Sequence, residues 1–324
     1  MRPGGSVIIT GGTANLGYQT ACEIAKAHPD YLVVLASRTD GDGAADRINA
    51  HLGQSNTIFT PLDLSDSRSV RDYAKEWESK GYPPIRALLL NAALLFPGPL
   101  QLTSEGLERT FSISHVGNTC LFHLLCPYFA SKARVVVTSS GTHDPAQRTG
   151  MPDPAYTTAE DLAHPPASAV NNVPGWQRYP TAKLANILWT YALHRRLMQL
   201  PPEREITVNA VDPGLMPGTG LGRNAVWYQR LFWKYIFPRI MPLARLIMPN
   251  IHSPKESGRA LARLAVGEDV EGVSGKYFEG LREIKSSRDS YDESKQEELW
   301  AWTVAYVAKL AMTAPEKIKI ETFN

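Results

Sequence analysis

Tyr179 and Lys183 are the residues of this sequence whose types and spacing most directly suggest chemistry. Residues four apart lie on one face of a helix, about one turn from each other. A neighbouring ammonium favours phenolate, so Lys183 is expected to lower the pKa of Tyr179 towards neutrality, where the hydroxyl can transfer a proton. The spacing is common by chance, and it predicts catalysis only if other parts of the chain form a matching site.

A glycine-rich turn near the start of the chain predicts a nucleotide-binding site. The β-branched run 6–10 stops at Gly11 and Gly12, and a helical pattern follows within a few residues. Strand, glycine turn and helix let the backbone approach a pyrophosphate at the helix N-terminus, although an ordinary strand-to-helix turn has the same outline. Asn15 stands where glycine is typical, but asparagine tolerates positive φ well, so the turn is expected to survive. The cofactor contacts predicted here are Gly11, Thr13, Asn15, Leu16 and Gly17.

The end of the second predicted strand, 31–36, indicates which dinucleotide is bound. An NAD site commonly has a carboxylate here that binds the adenosine ribose. In this chain Arg38 follows Ser37, and its guanidinium suits the 2′-phosphate of NADP through charge-assisted hydrogen bonds. The alternative is a solvated loop arginine, and the nearby Asp40 slightly weakens the inference. The sequence therefore predicts NADPH or NADP as the cofactor.

Further apolar runs end in polar or small residues, as expected where sites collect in open α/β sheets. Asp63 is expected either to contact the adenine edge or to cap the helix beyond it. Small residues after the run 85–90 would let the cofactor lie over that strand. The runs are 57–59, 85–90, 134–138 and 206–211, and the candidates after them are Asp63, Leu64, Asn91, Ala92, Ser139, Ser140, Pro213 and Gly214.

Length and composition favour a soluble protein with one domain. The 324 residues are 43% hydrophobic and 20% charged, and the formal charge of +2 gives no argument for nucleic acid as a partner. Three cysteines are too few for a disulfide framework, and no run of about 18 apolar residues predicts a membrane span. We expect a reduced, cytoplasmic protein that holds no metal and takes a small-molecule substrate.

Two stretches without a clear period are interpreted as covers of a substrate pocket. Residues 141–178 are rich in Pro, Asn, Asp and Gly, and a loop of this length in a compact domain is usually functional, so we expect a lid-like insertion. Residues 226–250 combine aromatic, aliphatic and basic side chains. This composition predicts either a substrate cap within 215–255 or peripheral contact with a membrane. The cap is favoured because prolines interrupt the segment.

Taken together, these motifs resemble those of the short-chain dehydrogenase/reductase family over about 6–278. Arg38, the long insertion and the carboxy-terminal cap look most like the branch with retinol dehydrogenases and protochlorophyllide oxidoreductases. The resemblance implies a single α/β domain, with a Rossmann-like doubly wound parallel sheet of about seven strands, helices on both faces and a small C-terminal substrate cap. The likeness is carried by Thr10-Gly11 with Gly17, Asp63-Leu64, Asn91-Ala92-Ala93, Ser139-Ser140 with Tyr179 and Lys183, and Pro213-Gly214.

The resemblance also implies roles for individual residues. Tyr179 would protonate a carbonyl oxygen as hydride arrives from NADPH, and Lys183 would lower the pKa of Tyr179 and hold the nicotinamide ribose. Ser140, rather than Ser139, would hydrogen-bond the substrate oxygen. Further cofactor contacts implied near the nicotinamide are Pro213, Gly214 and Thr219.

Two departures from the family pattern bear on the chemistry. Ser114 stands where the family usually has a structural and proton-relay asparagine, and its shorter side chain would slow or reroute the proton supply to Tyr179. Ala93 replaces a usual glycine, which is a milder change. His115 and His143 are alternative proton carriers, although a structural role is favoured for a lone histidine.

The sequence thus predicts an NADPH-dependent oxidoreductase that reduces a ketone or aldehyde of a bulky apolar or aromatic molecule, in lipid, retinoid-like or secondary metabolism. Alternatives with the same fold are reduction of a conjugated C=C bond, a non-redox dehydration or cyclisation, and an NADPH-binding protein without catalysis. A homo-oligomer stays open, since no residue decides it.

Overall fold

A single β-sheet forms the centre of the molecule. The computed structural model describes residues 4–168, 173–216, 250–312, 321 and 323. Within these residues the strands are β1 (Gly5–Thr10), β2 (Tyr31–Ser37), β3 (Thr57–Pro61), β4 (Ile85–Leu90), β5 (Phe129–Thr138), β6 (Glu205–Asp212), β7 (Lys276–Glu279) and β8 (Arg282–Ile284). Their order in the sheet is β3-β2-β1-β4-β5-β6-β7-β8, parallel from β3 to β7, with β8 antiparallel to β7.

Helices cover both faces of this sheet, as the sequence predicted. The helices of the described chain are α1 (Asn15–Ala27), α2 (Ala44–Leu52), α3 (Ser67–Lys80), α4 (Gly117–Leu125), α5 (Ala159–Ala163), α6 (Gly175–Leu197), α7 (Pro254–Val266) and α8 (Glu293–Met312). Helices α1, α2 and α7 share one apolar core with the sheet, and α3, α4, α6 and α8 share the other. The architecture is a doubly wound, Rossmann-like α/β fold.

Strand β1 illustrates why the sheet requires two covers. All six of its residues are buried. Val7 and Ile9 lie in the core beside α1, whereas Ile8 lies in the core on the opposite face. Successive side chains of a strand point to opposite faces, so a run that is apolar at every position can be buried only between two layers.

The helical region around Val116 is not one uniform α-helix. An α-helical turn at Arg109–Phe111 passes into a π-helical turn at Ser112–Val116 and then into α4. Gly117 begins α4 directly against the turn after β3, where a Cβ atom would come within 2.2 Å of the Leu64 carbonyl oxygen. The π-turn widens the helix just before this contact, and such turns are frequent at functional sites.

Helix α6, which carries the Tyr179 and Lys183 pair, is held between the sheet and α8. It spans 23 residues and includes Pro180. Its outer side packs on α8, where the rings of Trp189 and Trp300 stack with centroids 6.2 Å apart. Few positions on this helix are exposed, which explains why the sequence shows no clear amphipathic stripe there.

The described part of the 141–178 insertion is tied to α8. It contains the 3₁₀ turns Gly141–His143 and Pro145–Gln147 as well as α5. Tyr156 donates a hydrogen bond of 2.6 Å to the Glu298 carboxylate, and the backbone N–H of Ala159 donates to the same group at 3.1 Å. Its proposed role as a lid stays a prediction.

One strand was not predicted, and two predicted segments lie largely outside the described residues. The short edge strand β8 was not predicted, because three residues beside a glycine turn give too short a pattern to detect. The cap predicted within 215–255 lies largely outside the described residues, as does the possible membrane segment up to residue 249. Among the helices that the structure describes, none is both long and apolar enough to cross a membrane.

Candidate active site

Tyr179 and Lys183 lie on one face of α6 over the carboxyl end of β5, as predicted. Both side chains are buried, with 6% of Tyr179 and 1% of Lys183 exposed. The Lys183 Nζ atom lies 5.4 Å from the centre of the Tyr179 ring and donates a hydrogen bond of 2.8 Å to the carbonyl oxygen of Thr138. The end of β5 therefore fixes the ammonium beneath the phenol.

The two serines after β5 have different surroundings. Ser140 lies beside Tyr179 and lowers the pKa of the phenol, while its Oγ atom accepts from the backbone N–H of Thr142 at 3.3 Å. Ser139 instead donates to the Lys183 carbonyl oxygen at 2.8 Å, so its hydroxyl is used within the fold. Of the two serines, Ser140 is the one that faces the phenol, in agreement with the expectation from the sequence.

His143 holds the backbone of Ser140 in place. Its Nδ1 atom donates to the Ser140 carbonyl oxygen at 2.6 Å, and its Nε2 atom accepts from the backbone N–H of Ser287 at 3.0 Å. Both ring nitrogens are thus occupied in the neutral imidazole, and burial lowers its pKa. This arrangement favours a structural role for His143 over proton transport.

The pKa of Tyr179 differs from the expectation. Burial raises it above the ordinary value, the nearby Asp212 carboxylate raises it further, and the neighbouring Ser140 lowers it. Burial also lowers the pKa of Lys183 to about 7, against the opposing effect of Asp212. The prediction that the pKa of Tyr179 lies towards neutrality was wrong for the protein's own residues, because removal from water outweighs the attraction of the Lys183 ammonium.

The glycine turn has the conformation that dinucleotide binding requires. Gly11 has φ +68°, and Asn15 has φ 48°, so asparagine does adopt the left-handed conformation that its position demands. A Cβ atom on Gly17 would lie 2.3 Å from the Gly11 carbonyl oxygen. Ala14 precedes α1 without a side-chain cap, and the first turn of α1 carries no acidic residue. The first N–H groups of α1 and the open turn therefore fit an anionic pyrophosphate.

The end of β2 fits a phosphorylated ribose. Arg38 is exposed there, and it forms no hydrogen bond or ion pair with any other residue that the structure describes. Asp40 is turned away from it, since its two carboxylate oxygens accept from the N–H groups of Ala44 and Ala45 at 2.6 and 3.3 Å. Asp40 thus caps α2 and does not stand in for the ribose-binding carboxylate of an NAD site. Thr13 links the glycine turn to this strand end, with its Oγ1 atom 3.2 Å from the Thr39 carbonyl oxygen.

Asp63 does not cap α3. The cap is Asp66, which accepts from the N–H of Arg68 at 2.9 Å. Asp63 accepts from Ser65 within its own turn, at 2.9 Å from the N–H and 2.6 Å from the hydroxyl. It stays partly exposed at the sheet edge beside buried Leu64, a position compatible with the adenine contact.

Asn91 and Ala92 are fixed by two residues that the sequence did not single out for this task. Thr10 accepts from both backbone N–H groups, at 2.8 and 2.9 Å. Asn118 accepts from the Thr10 hydroxyl at 2.9 Å and donates to the Ala92 carbonyl oxygen at 3.0 Å. The end of β4 is therefore rigid, and its side chains are small enough to leave space above it.

Ser114 lies within the π-helical turn. Its side chain is buried, and its hydroxyl has no hydrogen-bond partner among the described residues. The neighbouring His115 is buried as well, which lowers its pKa to about 4, and its Nδ1 atom is 2.9 Å from Asn186 Oδ1. Asn186 donates to the Thr138 carbonyl oxygen at 3.2 Å, the same atom that Lys183 binds. The spacing of three residues between Lys183 and Asn186 was a detectable signal for this contact.

The loop after β6 completes the same edge. Gly214 has φ +81°, and the Ser257 hydroxyl donates to the Pro213 carbonyl oxygen at 2.6 Å. Thr219, the last predicted cofactor contact, lies outside the described residues. The described candidates thus collect where the strands end, which is where ligands bind in sheets of this type.

Comparison with known proteins agrees with this geometry. The family model described as short chain dehydrogenase matches residues 6–159. Mouse retinol dehydrogenase 14 is 30% identical over 313 residues, covering 92% of this chain and 84% of its own length. The chain belongs to the short-chain dehydrogenase/reductase family and is an oxidoreductase of that family, whose members use nicotinamide cofactors.

Two further relatives span most of the chain. Mouse polyprenol dehydrogenase is 29% identical over 306 residues, covering 93% of this chain and 83% of its own length. The zebrafish WW domain-containing oxidoreductase is 29% identical over 296 residues, or 91% of this chain, and the match spans 66% of that protein's length.

Solved structures share the fold. A protein from Mycobacterium paratuberculosis superposes with a TM-score of 0.66 at 23% identity, covering 94% of both chains. Levodione reductase superposes with a TM-score of 0.59 at 17% identity, covering 86% of this chain and 96% of its own.

The left-handed conformation of Asn15 leads to a prediction about stability. Replacing Asn15 by Ala should lower the free energy of unfolding by about 1 kcal/mol, because alanine is strained at positive φ. Replacing it by Gly should leave the free energy of unfolding within ~0.5 kcal/mol of wild type, since glycine adopts this conformation freely. Urea denaturation of the three proteins measures the difference, and equal stabilities for the Ala and Gly variants would contradict the assigned turn.

The buried ammonium leads to a second prediction. The pKa of Lys183 is about 7 in the fold, below that of an unfolded lysine, so the unfolded chain binds more protons between these values. Burial of Lys183 therefore lowers the free energy of unfolding by its full amount below pH 7. This destabilisation decreases as the pH rises towards 10. Lys183→Met should accordingly raise the free energy of unfolding at pH 6 by roughly 1–3 kcal/mol, and by less at pH 9. Urea denaturation at the two pH values measures both changes.

A matched control is the exposed Lys255 on α7. Replacing Lys255 by Met removes one exposed lysine and so controls for the loss of a positive charge as such. A Lys183→Met protein less stable than wild type at pH 6 would show that the hydrogen bond to Thr138 outweighs the cost of burial.

Proposed function

We propose that this protein transfers hydride from NADPH to the carbonyl carbon of an aldehyde or ketone, and that Tyr179 supplies the proton to the carbonyl oxygen. The observation that carries the proposal is the group of half-buried Ser140 with buried Tyr179 and Lys183, at the strand edge that also bears the glycine turn. A phenol whose pKa is kept high by burial stays protonated at neutral pH. It is therefore a proton donor rather than a base in the ground state.

Each of the three side chains has a separate task in this reaction. Ser140, which lies beside the phenol, orients the substrate oxygen towards it. Tyr179 then donates its proton to that oxygen as negative charge develops there. Lys183, held by the Thr138 carbonyl, is positioned to stabilise the phenolate that remains, to return a proton to it and then to be reprotonated from solvent.

The residues of the strand edge would hold the cofactor, which supplies the hydride when bound. Gly11, Thr13, Asn15, Leu16 and Gly17 would surround the pyrophosphate, and Arg38 the 2′-phosphate. Asp63 and Leu64 would lie at the adenine, and Asn91 and Ala92 beneath the middle of the dinucleotide. Lys183 would contact the nicotinamide ribose, and Pro213, Gly214 and Thr219 would lie at the nicotinamide.

The names of two relatives and an apolar margin beside the site support a proposal for the substrate class. The names of two relatives specify retinol and polyprenol, which are long apolar alcohols. The end of β4 continues into half-buried Leu94 and buried Leu95 and Phe96, an apolar margin beside the site. We infer a bulky apolar or aromatic carbonyl substrate, covered by 141–178 as a lid and by 215–255 as a cap. A cytoplasmic location and a role in secondary metabolism belong to the same proposal.

A second candidate function is favoured by one observation. The buried, unpartnered hydroxyl of Ser114 replaces the amide that usually serves proton relay in the family. With that relay altered, the site could reduce a conjugated C=C bond or catalyse a non-redox dehydration or cyclisation. Product formed without oxidation of NADPH would support the non-redox version. A protein that binds NADPH without catalysis would show no product with any carbonyl tested.

The position of Arg38 leads to a prediction about cofactor choice. NADPH should bind about tenfold or more tightly than NADH, a difference of about 1.4 kcal/mol, and Arg38→Ala should remove most of this preference by weakening NADPH alone. Fluorescence titration measures both dissociation constants. Arg282→Ala, on the opposite edge strand β8, is the control for loss of one exposed positive charge. Tighter binding of NADH by the wild type would reject NADPH as the cofactor.

The role of Tyr179 is tested by removing one hydroxyl. Tyr179→Phe should lower kcat for reduction of retinal, farnesal or 4-nitrobenzaldehyde by about 10²–10⁴-fold, because the proton donor is lost. NADPH binding should change by less than about threefold. Tyr191→Phe is the matched control on the same helix, where the lost hydroxyl bonds Ser286 at 2.6 Å, away from the site. Turnover retained by Tyr179→Phe would reject the proposed mechanism.

A further inference from the structure

A buried carboxylate at the end of β6 has contacts that the proposed chemistry does not use. Only 3% of Asp212 is exposed. Its Oδ1 atom accepts from the N–H of Gly214 at 2.9 Å, and its Oδ2 atom accepts from Asn250 Nδ2 at 2.7 Å. Neither donor carries a charge, and no salt bridge to Asp212 exists within the described part of the chain. Burying an anion without a direct cationic partner is costly, which makes a specific use for it worth seeking.

The first side of Asp212 faces the turn that carries Ser140. The backbone N–H of Gly141, the next residue, lies near Asp212 and lowers the pKa of its carboxyl group, although burial raises that pKa overall. The fit is close, since a Cβ atom on Gly141 would approach Asp212 Oδ2 to 2.9 Å. His143 holds the Ser140 carbonyl from the other side at 2.6 Å. Asp212 and His143, which are both buried, therefore contact the backbone on the two sides of Ser140.

The second side of Asp212 faces the two ends of the segment 217–249. Leu215 donates to the Asn250 carbonyl oxygen at 2.8 Å and accepts from the N–H of His252 at 3.0 Å. The side-chain bond from Asn250 to Asp212 adds to this short ladder. The residues on the two sides of 217–249 therefore meet at Asp212.

The charge of Asp212 also acts on the buried pair above it. Tyr179 and Lys183 both lie near enough for this anion to raise their pKa values. The other titratable groups around Asp212 are Glu279 and Tyr277 on β7, His252 beside Gly214 and Gly280, and His143 on the far side of the serine turn. The charge of Asp212, by contrast, raises the pKa of both Tyr179 and Lys183.

We propose that Asp212 is a positioning residue of the reductase site, which couples the serine turn to the residues on either side of 217–249 and provides negative charge that favours the ammonium form of Lys183. The inference rests on the proposed function, because it assigns Asp212 a task in that reaction. It explains why an acidic residue is buried between a backbone turn and a loop base where a neutral side chain would avoid the cost of desolvation.

The decisive variant is Asp212→Asn, which keeps the shape and an oxygen for Gly214. With an aldehyde from the panel above, kcat/KM should fall about tenfold or more, while the NADPH dissociation constant stays within about threefold. The proposed reaction needs the ammonium form of Lys183 to stabilise the phenolate, so the rate falls as the pH rises through the pKa of Lys183, about 7. Loss of the anion lowers that pKa, and the alkaline limb of kcat/KM should move to lower pH by at least about half a unit.

Two companion variants separate charge from packing. Ser257→Ala removes the neighbouring hydrogen bond to Pro213 without changing charge, and its alkaline limb should stay at the wild-type pH. Asn250→Ala keeps the anion but cuts its link to the segment end, so it should raise KM for the aldehyde severalfold with kcat and the limb near wild type. The Asn250→Ala measurement carries the test if Asp212→Asn does not fold, as judged by circular dichroism.

The outcomes distinguish this inference from the proposed function. If Tyr179→Phe stays active, the reductase mechanism fails irrespective of Asp212. If Tyr179→Phe is inactive but Asp212→Asn has wild-type kcat/KM and an unmoved limb, Asp212 has no positioning role and the inference alone is overturned. A wild-type KM in Asn250→Ala would overturn the coupling to the segment.

Discussion

A lysine ammonium buried beneath a helix is the constraint on which the site depends. Lys183 is 1% exposed, and its one hydrogen bond in the described chain goes to the carbonyl oxygen at the end of β5. An ammonium in such a place is unfavourable unless its surroundings replace water. The end of β5, the anion of Asp212 and the side chain of Asn186 form these surroundings, and they fix where the strand, the helix and the loop after β6 meet.

The start of the same helix is fixed by a buried ion pair. Arg178, next to Tyr179, lies 3.4 Å from the Glu108 carboxylate, with both side chains almost fully buried. Arg178 also donates to the Gly98 carbonyl oxygen at 2.7 Å, and Glu108 caps the turn that leads to Ser114. Tyr179 therefore sits between two charged anchors, and its position relative to the strand ends is determined from both directions along the helix.

Much of this arrangement was readable from the sequence, because it depends on local patterns. Buried parallel strands are continuous apolar runs, and the four-residue spacing of Tyr179 and Lys183 directly predicts a shared helix face. The positive φ at Asn15 was predictable for the same reason, since it is a property of one turn. The family resemblance supplied the roles, and the geometry brings Ser140 rather than Ser139 to the phenol.

The parts that escaped prediction depend on contacts between distant residues. Asn118 reaches back to Thr10 across 108 positions, and no local pattern announces such a bond. The direction of the Tyr179 pKa was missed because it depends on burial and on Asp212, neither of which the spacing to Lys183 reveals. The π-helical turn at Ser112–Val116 was missed because its sequence is compatible with an ordinary helix.

The packing of α8 on α6 has a consequence for how the protein matures on the ribosome. The outer face of α6 is covered by residues that follow it by more than a hundred positions, through the stacking of Trp189 on Trp300 and the bonds of Arg195 and Arg196 with Glu297. Chain segments emerge from the ribosome in order, and an apolar surface stays exposed until the residues that cover it have been made. The nascent chain can thus assemble the nucleotide-binding half of the sheet early, while the helix that carries Tyr179 stays half-covered until α8 has been made.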